Sequence, residues 1–178
     1  MSRQGTAAVE AFADYDDPAR LRELDAAVAA APADIALRRE RADLLVTLLR
    51  YAEAERELRA AVRLDERDVA SLTSLGALLC RGGRWRDAMD PLRTAVELAP
   101  EQGLAHYYLG DVYAHMELLP AALASYETAA GLLPDASRAL KGAGHVLDRM
   151  GRPAEAADAH RRGREAQRAR AAGAGRRG

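Results

Sequence analysis

Apolar residues recur along this chain with the period of an amphipathic helix. In the stretch LAHYYLGDVYAHM, Leu109, Val112, Tyr113 and Met116 are spaced i, i+3, i+4 and i+7, and LPAALASYETAAGLLP continues the pattern. Glycine-containing turns such as CRGGRW separate these stretches. Nothing in the sequence has the strict alternation of a strand. The pattern therefore predicts an all-α chain whose units are helix, short turn, helix.

The same residue types return every 34 residues. Small residues occur at two sets of such positions, which are Ala42, Gly76, Gly110 and Gly144, and Ala54, Ala88, Ala122 and Ala156. Larger side chains recur at Leu58, Leu92, Tyr126 and His160. Glycine inside a helix costs about 0.5–1 kcal/mol relative to alanine, so its periodic return predicts a close contact between helices. A fixed period of this length indicates an array of small supersecondary units.

These residues resemble the signature of the tetratricopeptide repeat (TPR) family, W-x2-L-G-x2-Y followed by A-x3-F, A and P. The resemblance is strongest in residues 103–136, where the matching positions are His106, Leu109, Gly110, Tyr113, Ala122, Tyr126, Ala129 and Pro134. It extends to repeats at 35–68, 69–102 and 137–170, the last with a solvating second helix. Residues 1–34 are interpreted as a degenerate N-terminal repeat or cap, and residues 171–178 as a disordered tail.

The family resemblance implies a TPR-type α-solenoid of antiparallel helix pairs that form a right-handed superhelix with a concave groove. In TPR proteins the first helix of each unit lines that groove. In residues 103–136 this face is expected to contain Tyr107, Asp111 and His115, spaced i, i+4 and i+8, with Leu104 beside them. The corresponding positions of the other repeats complete the predicted partner-binding site: Arg39, Asp43, Thr73, Arg81, Arg138, Lys141, His145 and Arg149.

The predicted groove has more cations than carboxylates, and this balance indicates its partner. We expect a protein or peptide with an aromatic or apolar anchor and an acidic side chain or C-terminal carboxylate, because an arginine fork bonds both carboxylate oxygens. The alternative for any single charged residue is a solvated helix face without a partner. A further alternative is a divalent metal site formed by Asp111, His115 and His145, but no metal or cofactor is predicted.

No nucleophile, phosphate-binding loop or metalloprotease motif occurs in the sequence, so the prediction is a non-catalytic interaction scaffold or adaptor and not an enzyme. Two alternatives stay open. The chain is a regulatory or substrate-docking subunit of a larger enzyme complex, or it is a self-assembling oligomer in which one copy's groove receives another copy's convex side or N-terminal helix.

The formal net charge of −1 gives no general reason for binding to nucleic acid or membranes. Arginines near the C-terminus raise a nucleic-acid alternative, but no aromatic residues are interleaved with them for base stacking. The single cysteine, Cys80, excludes an internal disulfide and is expected to be buried or to line the groove. No signal-like or membrane-spanning stretch is apparent, so a cytoplasmic location is expected. Abundant alanine and arginine with a single lysine indicate a bacterial source.

Overall fold

The computed structural model describes residues 18–174, and every regular element within this range is an α-helix. The helices are α1 (Pro18–Ala30), α2 (Ile35–Thr47), α3 (Tyr51–Leu64), α4 (Val69–Arg81), α5 (Trp85–Leu98), α6 (Gly103–His115), α7 (Leu119–Leu132), α8 (Ser137–Arg149) and α9 (Pro153–Ala174). Helices α2, α4, α6 and α8 begin 34 residues apart, and so do α3, α5, α7 and α9. The predicted all-α fold of paired helices is confirmed.

Aspartate side chains begin two of the first helices at equivalent positions. The carboxylate of Asp34 accepts a hydrogen bond of 3.0 Å from the backbone N–H of Leu37, and that of Asp68 accepts one of 2.9 Å from Ser71. Each bond satisfies an N–H that has no partner within its helix. The first two repeats therefore share an equivalent capping residue, whereas Gln102 and Ala136, which precede α6 and α8, form no such side-chain bond.

The turn inside each helix pair is a Schellman motif. The backbone N–H three residues past the helix end bonds a carbonyl five residues earlier, in the pairs Arg50–Leu45, Arg84–Leu79, Leu118–Tyr113 and Arg152–Leu147. The residue before each donor has a positive φ: Leu49 (60°), Gly83 (70°), Glu117 (62°) and Gly151 (71°). Two repeats thus place glycine at the left-handed position, and two place a residue with a Cβ atom there.

The periodic glycines lie in close contact with a large side chain on the other helix of the pair. A Cβ atom built on Gly110 would lie 2.7 Å from Tyr126 Cδ1, and one built on Gly144 would lie 2.5 Å from His160 Cε1. The equivalent distance from Gly76 to Leu92 Cγ would be 2.3 Å. Real side chains essentially never approach so closely, so the predicted close contact is confirmed.

The chain divides into two compact units between Ser71 and Leu72, within α4. In the first unit Leu24, Leu45 and Leu58 are buried together with smaller apolar residues. Glu57 forms ion pairs of 2.7 Å with two arginines of α2, Arg38 and Arg41. These half-buried charges hold α3 against α2.

The second unit contains a continuous apolar core formed by α6 to α9. Its buried members are Ala114, Ala122, Leu123, Tyr126, Ala143, Val146, Leu147, Ala156 and Ala159. Tyr107, Tyr113, Leu119 and Met150 pack against this cluster from its edge. Small residues predominate, so the backbones of successive helices can approach each other closely.

Helix α9 extends further than the sequence predicted. It continues to Ala174, so residues 171–174 are helical where a disordered tail was expected. The run of alanine and arginine explains the extension, because both residues have high helix propensity. The rest of that predicted tail, 175–178, and the first half of the predicted N-terminal cap, 1–17, lie outside the described residues. Among the described helices, none is long and apolar enough to cross a membrane.

Candidate partner-binding groove

An open cavity of about 430 Å³ lies between α6 and α8 in the second unit. We call it the α6–α8 groove. It brings together seven of the residues predicted from the sequence: Tyr107, Asp111, His115, Arg138, Lys141, His145 and Arg149. The four-residue spacing along α6, and from Lys141 to Arg149 along α8, places these side chains on one face of each helix. Ala114, Tyr126, Gly142 and Val146 complete the lining.

A hydrogen bond in the lining of the groove joins Tyr126 and Asp111. The Tyr126 hydroxyl donates a hydrogen bond of 2.5 Å to Asp111 Oδ1. Burial raises the pKa of Asp111, and the Tyr126 hydrogen bond opposes that rise. Burial, with the same hydrogen bond, holds the pKa of Tyr126 far above its ordinary value. The carboxylate is therefore fixed in position by a hydroxyl that stays protonated.

One wall of the groove is formed by Tyr107 and Arg138. The guanidinium carbon of Arg138 lies 4.6 Å from the centre of the Tyr107 ring, and its Nη2 donates a hydrogen bond of 3.1 Å to the Tyr107 hydroxyl. The Tyr107 ring also lies 5.1 Å from that of Tyr108 and 6.0 Å from that of Tyr126. Burial raises the pKa of Tyr107. The wall is thus a packed aromatic surface with one arginine held on it.

Two nitrogen-containing side chains at the end of the groove bond backbone carbonyls of α6. His115 Nδ1 donates a hydrogen bond of 2.9 Å to the Asp111 carbonyl oxygen, and Arg149 Nη1 donates one of 3.0 Å to that of Ala114. Arg149 also forms an ion pair with Glu117. The His115 ring stacks on Trp85 with 3.6 Å between ring centres, at the border of a second open cavity. Contacts within the chain therefore fix the positions of both the His115 and the Arg149 side chains.

Lys141 and His145 are the exposed, weakly engaged groups of α8. The His145 ring lies 5.2 Å from that of His160. Within residues 18–174, no hydrogen bond or ion pair involves the Lys141 ammonium group. Lys141 is also the only lysine of the chain. It is the cation of the groove that remains available to a partner.

The other five predicted residues do not line the α6–α8 groove. Leu104, at the start of α6, is 45% exposed, whereas Thr73 in α4 is only 5% exposed, so the structure does not offer its side chain to a partner. Arg81 is exposed at the end of the same helix. In the first unit, Arg39 Nη1 lies 3.2 Å from both carboxylate oxygens of Asp68. Burial raises the pKa of Asp43 in that unit, and Arg39 opposes the rise.

Sequence reasoning missed four lining residues of the groove, Ala114, Tyr126, Gly142 and Val146, and two of them bear on its chemistry and packing. The repeat pattern marks Tyr126 as a large periodic side chain, and the structure shows that its ring fills the core while its hydroxyl reaches Asp111. A Cβ atom on Gly142 would lie 2.7 Å from Tyr126 Cε1. Unlike Gly110 and Gly144, Gly142 lies outside the 34-residue register. A helix glycine that the repeat does not require was the signal available in the sequence.

The single cysteine and the potential metal ligands are further candidates for chemistry within residues 18–174. Cys80 is buried, and its burial, with the nearby Asp111 charge, raises the pKa of its thiol to about 12. The group is therefore a protonated thiol at neutral pH. Among residues 18–174, no group of three or more histidine, cysteine, aspartate or glutamate side chains is placed to hold a metal ion.

The sequence profile of the tetratricopeptide repeat family matches residues 39–102 and 76–137. These overlapping matches cover more than half of the chain, which belongs to this family. No curated protein matches the sequence.

Solved structures have the same fold. A crystal structure of MamA aligns with a TM-score of 0.76 at 21% identity, over 96% of this chain and 99% of the MamA chain. MamA 41-end from Desulfovibrio magneticus RS-1 aligns with a TM-score of 0.74 at 22% identity, over 84% of each chain. YrrB, described as a TPR protein with an unusual peptide-binding site, aligns with a TM-score of 0.69 at 20% identity, over 83% of this chain and 76% of the YrrB chain. At these identities the likeness concerns the fold.

Proposed function

We propose that this chain is a non-catalytic interaction module whose α6–α8 groove binds a peptide or helix of a partner protein. The observation that carries the proposal is the convergence of seven polar and aromatic residues from two successive repeats on one open cavity. Concave ligand sites in proteins combine an apolar surface with a few directed polar groups. The description of YrrB as a TPR protein with a peptide-binding site supports the same use of the fold.

The chemistry of the groove favours an acidic partner. Its lining includes three permanent cations, Arg138, Lys141 and Arg149, and one carboxylate, Asp111. Arg138 and Arg149 contact other groups of the protein, so Lys141 is the cation that meets an acidic side chain or C-terminal carboxylate of the partner. The packed Tyr107 surface beside it accepts an aromatic or apolar anchor, because a rigid aromatic ring offers contact area at little entropic cost.

Affinity capture with a charge-reversal variant tests this function. Wild type, Lys141→Glu and Arg164→Glu are immobilised and exposed to a lysate of the organism that encodes the chain, and retained proteins are identified by mass spectrometry. Arg164 is an exposed residue of α9 outside the groove, so its variant changes the net charge equally. We expect partners retained by wild type and Arg164→Glu to be lost from Lys141→Glu.

A synthetic peptide from such a partner then completes the test. Fluorescence anisotropy should show that replacing its acidic residues by amides weakens binding to wild type. If the same proteins are retained by all three baits, the binding surface lies elsewhere and the proposal for the α6–α8 groove fails.

A further inference from the structure

We propose that the α6–α8 groove of one copy binds residues 10–17 of a second copy, so that the chain associates with itself through its acidic N-terminal segment. This inference rests on the proposed function of the groove, and it names the occupant. It is supported by the chemistry of the segment, by the one groove cation left available among residues 18–174, and by the spacing of charges on the two sides.

The segment EAFADYDD has the composition for which the groove is suited. Its eight residues contain four carboxylates, Glu10, Asp14, Asp16 and Asp17, and no cation. They also contain Phe12, the only phenylalanine of the chain, and Tyr15. The other terminal segment outside the described residues, GRRG at 175–178, carries only positive charge and would be repelled by the same groove. Of these two segments, only residues 10–17 have a charge opposite to that of the groove cations.

The groove can receive a carboxylate without breaking its own contacts. His115 and Arg149 bond carbonyl oxygens of α6, and Arg138 lies against Tyr107. Lys141 has no such engagement among the described residues, and it lies on the same cavity as Tyr107. An incoming carboxylate would therefore form a new ion pair with Lys141 while an adjacent aromatic side chain packs beside Tyr107.

The charges also match in spacing. Lys141, His145 and Arg149 follow each other every four residues along α8, over a rise of about 12 Å. Glu10, Asp14 and Asp17 are separated by four and three residues. The carboxylates are thus spread along the segment at intervals similar to those of the basic side chains on α8. In the proposed complex they would face that row of nitrogen groups.

Charge reversal on both sides of the contact tests the inference. Sedimentation of the full chain is measured over a range of concentrations for wild type, Asp14→Lys, Lys141→Glu, the double variant Asp14→Lys/Lys141→Glu, and the Arg164→Glu control. We expect wild type and the control to associate, each groove or segment variant to raise the dissociation constant about tenfold, and the double variant to recover association. A fluorescein-labelled peptide of residues 6–17 should bind wild type and bind Lys141→Glu about tenfold more weakly.

The outcomes separate this inference from the proposed function. A wild-type chain that stays monomeric and does not bind the peptide overturns the inference, whereas the proposed function stands if lysate partners are still lost from Lys141→Glu. Association that neither single substitution weakens, or that the double variant fails to recover, also overturns it. If lysate capture and peptide binding are both insensitive to Lys141→Glu, both proposals fail. Melting curves confirm that each variant is folded.

Discussion

One side chain, Tyr126, belongs to the core and to the groove. Its ring lies against Gly110 of α6 and Gly142 of α8, and its hydroxyl holds the Asp111 carboxylate. A phenylalanine would fill the same space without the hydrogen bond. The position therefore allows the polar contact to be removed while the packing is kept.

We expect Tyr126→Phe to lower stability in a pH-dependent way. Burial holds the folded-state pKa of Asp111 above its unfolded value, so folding favours the protonated carboxyl, and stability falls as pH rises toward the folded pKa. The Tyr126 hydroxyl lowers that pKa, so its removal raises the pKa further and enlarges the fall. The variant should have the same free energy of unfolding as wild type below the pH range in which carboxyl groups titrate. At neutral pH its free energy of unfolding should be lower by about 1–3 kcal/mol.

Urea unfolding on either side of about pH 4 measures this difference. Tyr113→Phe is the matched control, because Tyr113 packs at the edge of the same core and no hydrogen bond of its hydroxyl is found among the described residues. An equal loss for Tyr126→Phe at both pH values would contradict the linkage to Asp111.

Two glycines on neighbouring helices should respond to alanine with opposite signs. A Cβ atom on Gly110 would overlap the Tyr126 ring, whereas one on Gly131, in α7, meets no atom within 4 Å. We expect Gly110→Ala to destabilise by about 1–3 kcal/mol through overpacking. Gly131→Ala should stabilise by about 0.5–1 kcal/mol, because glycine is the poorer helix former. Thermal melts test both, and a Gly110→Ala variant as stable as wild type would refute the close contact.

At the scale of the element, each helix pair consists of two helices joined by a Schellman turn. The local sequence predicted the helices well because the apolar period and the glycine turns act over a few residues. It did not predict that α9 continues to Ala174. The glycines of that segment indicated an end, but the alanines and arginines between them favour continuation of the helix.

The turn between α2 and α3 contains a strained residue that glycine would relieve. Leu49 has a φ of 60° and is 70% exposed, so its side chain contributes little packing. The left-handed conformation costs an L-residue about 1–2 kcal/mol, and glycine avoids this cost while losing more conformational entropy on folding. We expect Leu49→Gly to stabilise by up to about 1 kcal/mol.

Gly83→Ala, at the equivalent turn between α4 and α5, should do the reverse, because Gly83 has a φ of 70°. Both variants are compared with wild type by chemical unfolding. Destabilisation by Leu49→Gly would mean that the Leu49 side chain makes a contact that outweighs its backbone strain.

At the scale of the whole molecule, charge distribution matters more than total charge. The net charge of −1 conceals an acidic segment at residues 10–17 and a groove with three permanent cations in its lining. Most of the arginines near the groove are engaged by the protein, and Lys141 is left available. This uneven distribution is the basis on which we propose association with an acidic partner and with a second copy.

The sequence by itself determined the helical class, the repeat period, the family and the groove face of α6 and α8, because periodicity is a local property of the chain. The tertiary structure decided which groups of the groove are available. Arg138 meets Tyr107 across 31 residues of sequence, and Arg149 meets Ala114 across 35. The burial of Thr73 and the double role of Tyr126 were decided in the same way. Such contacts join residues of different helices, so they depend on how the helices pack and not on any one stretch of sequence.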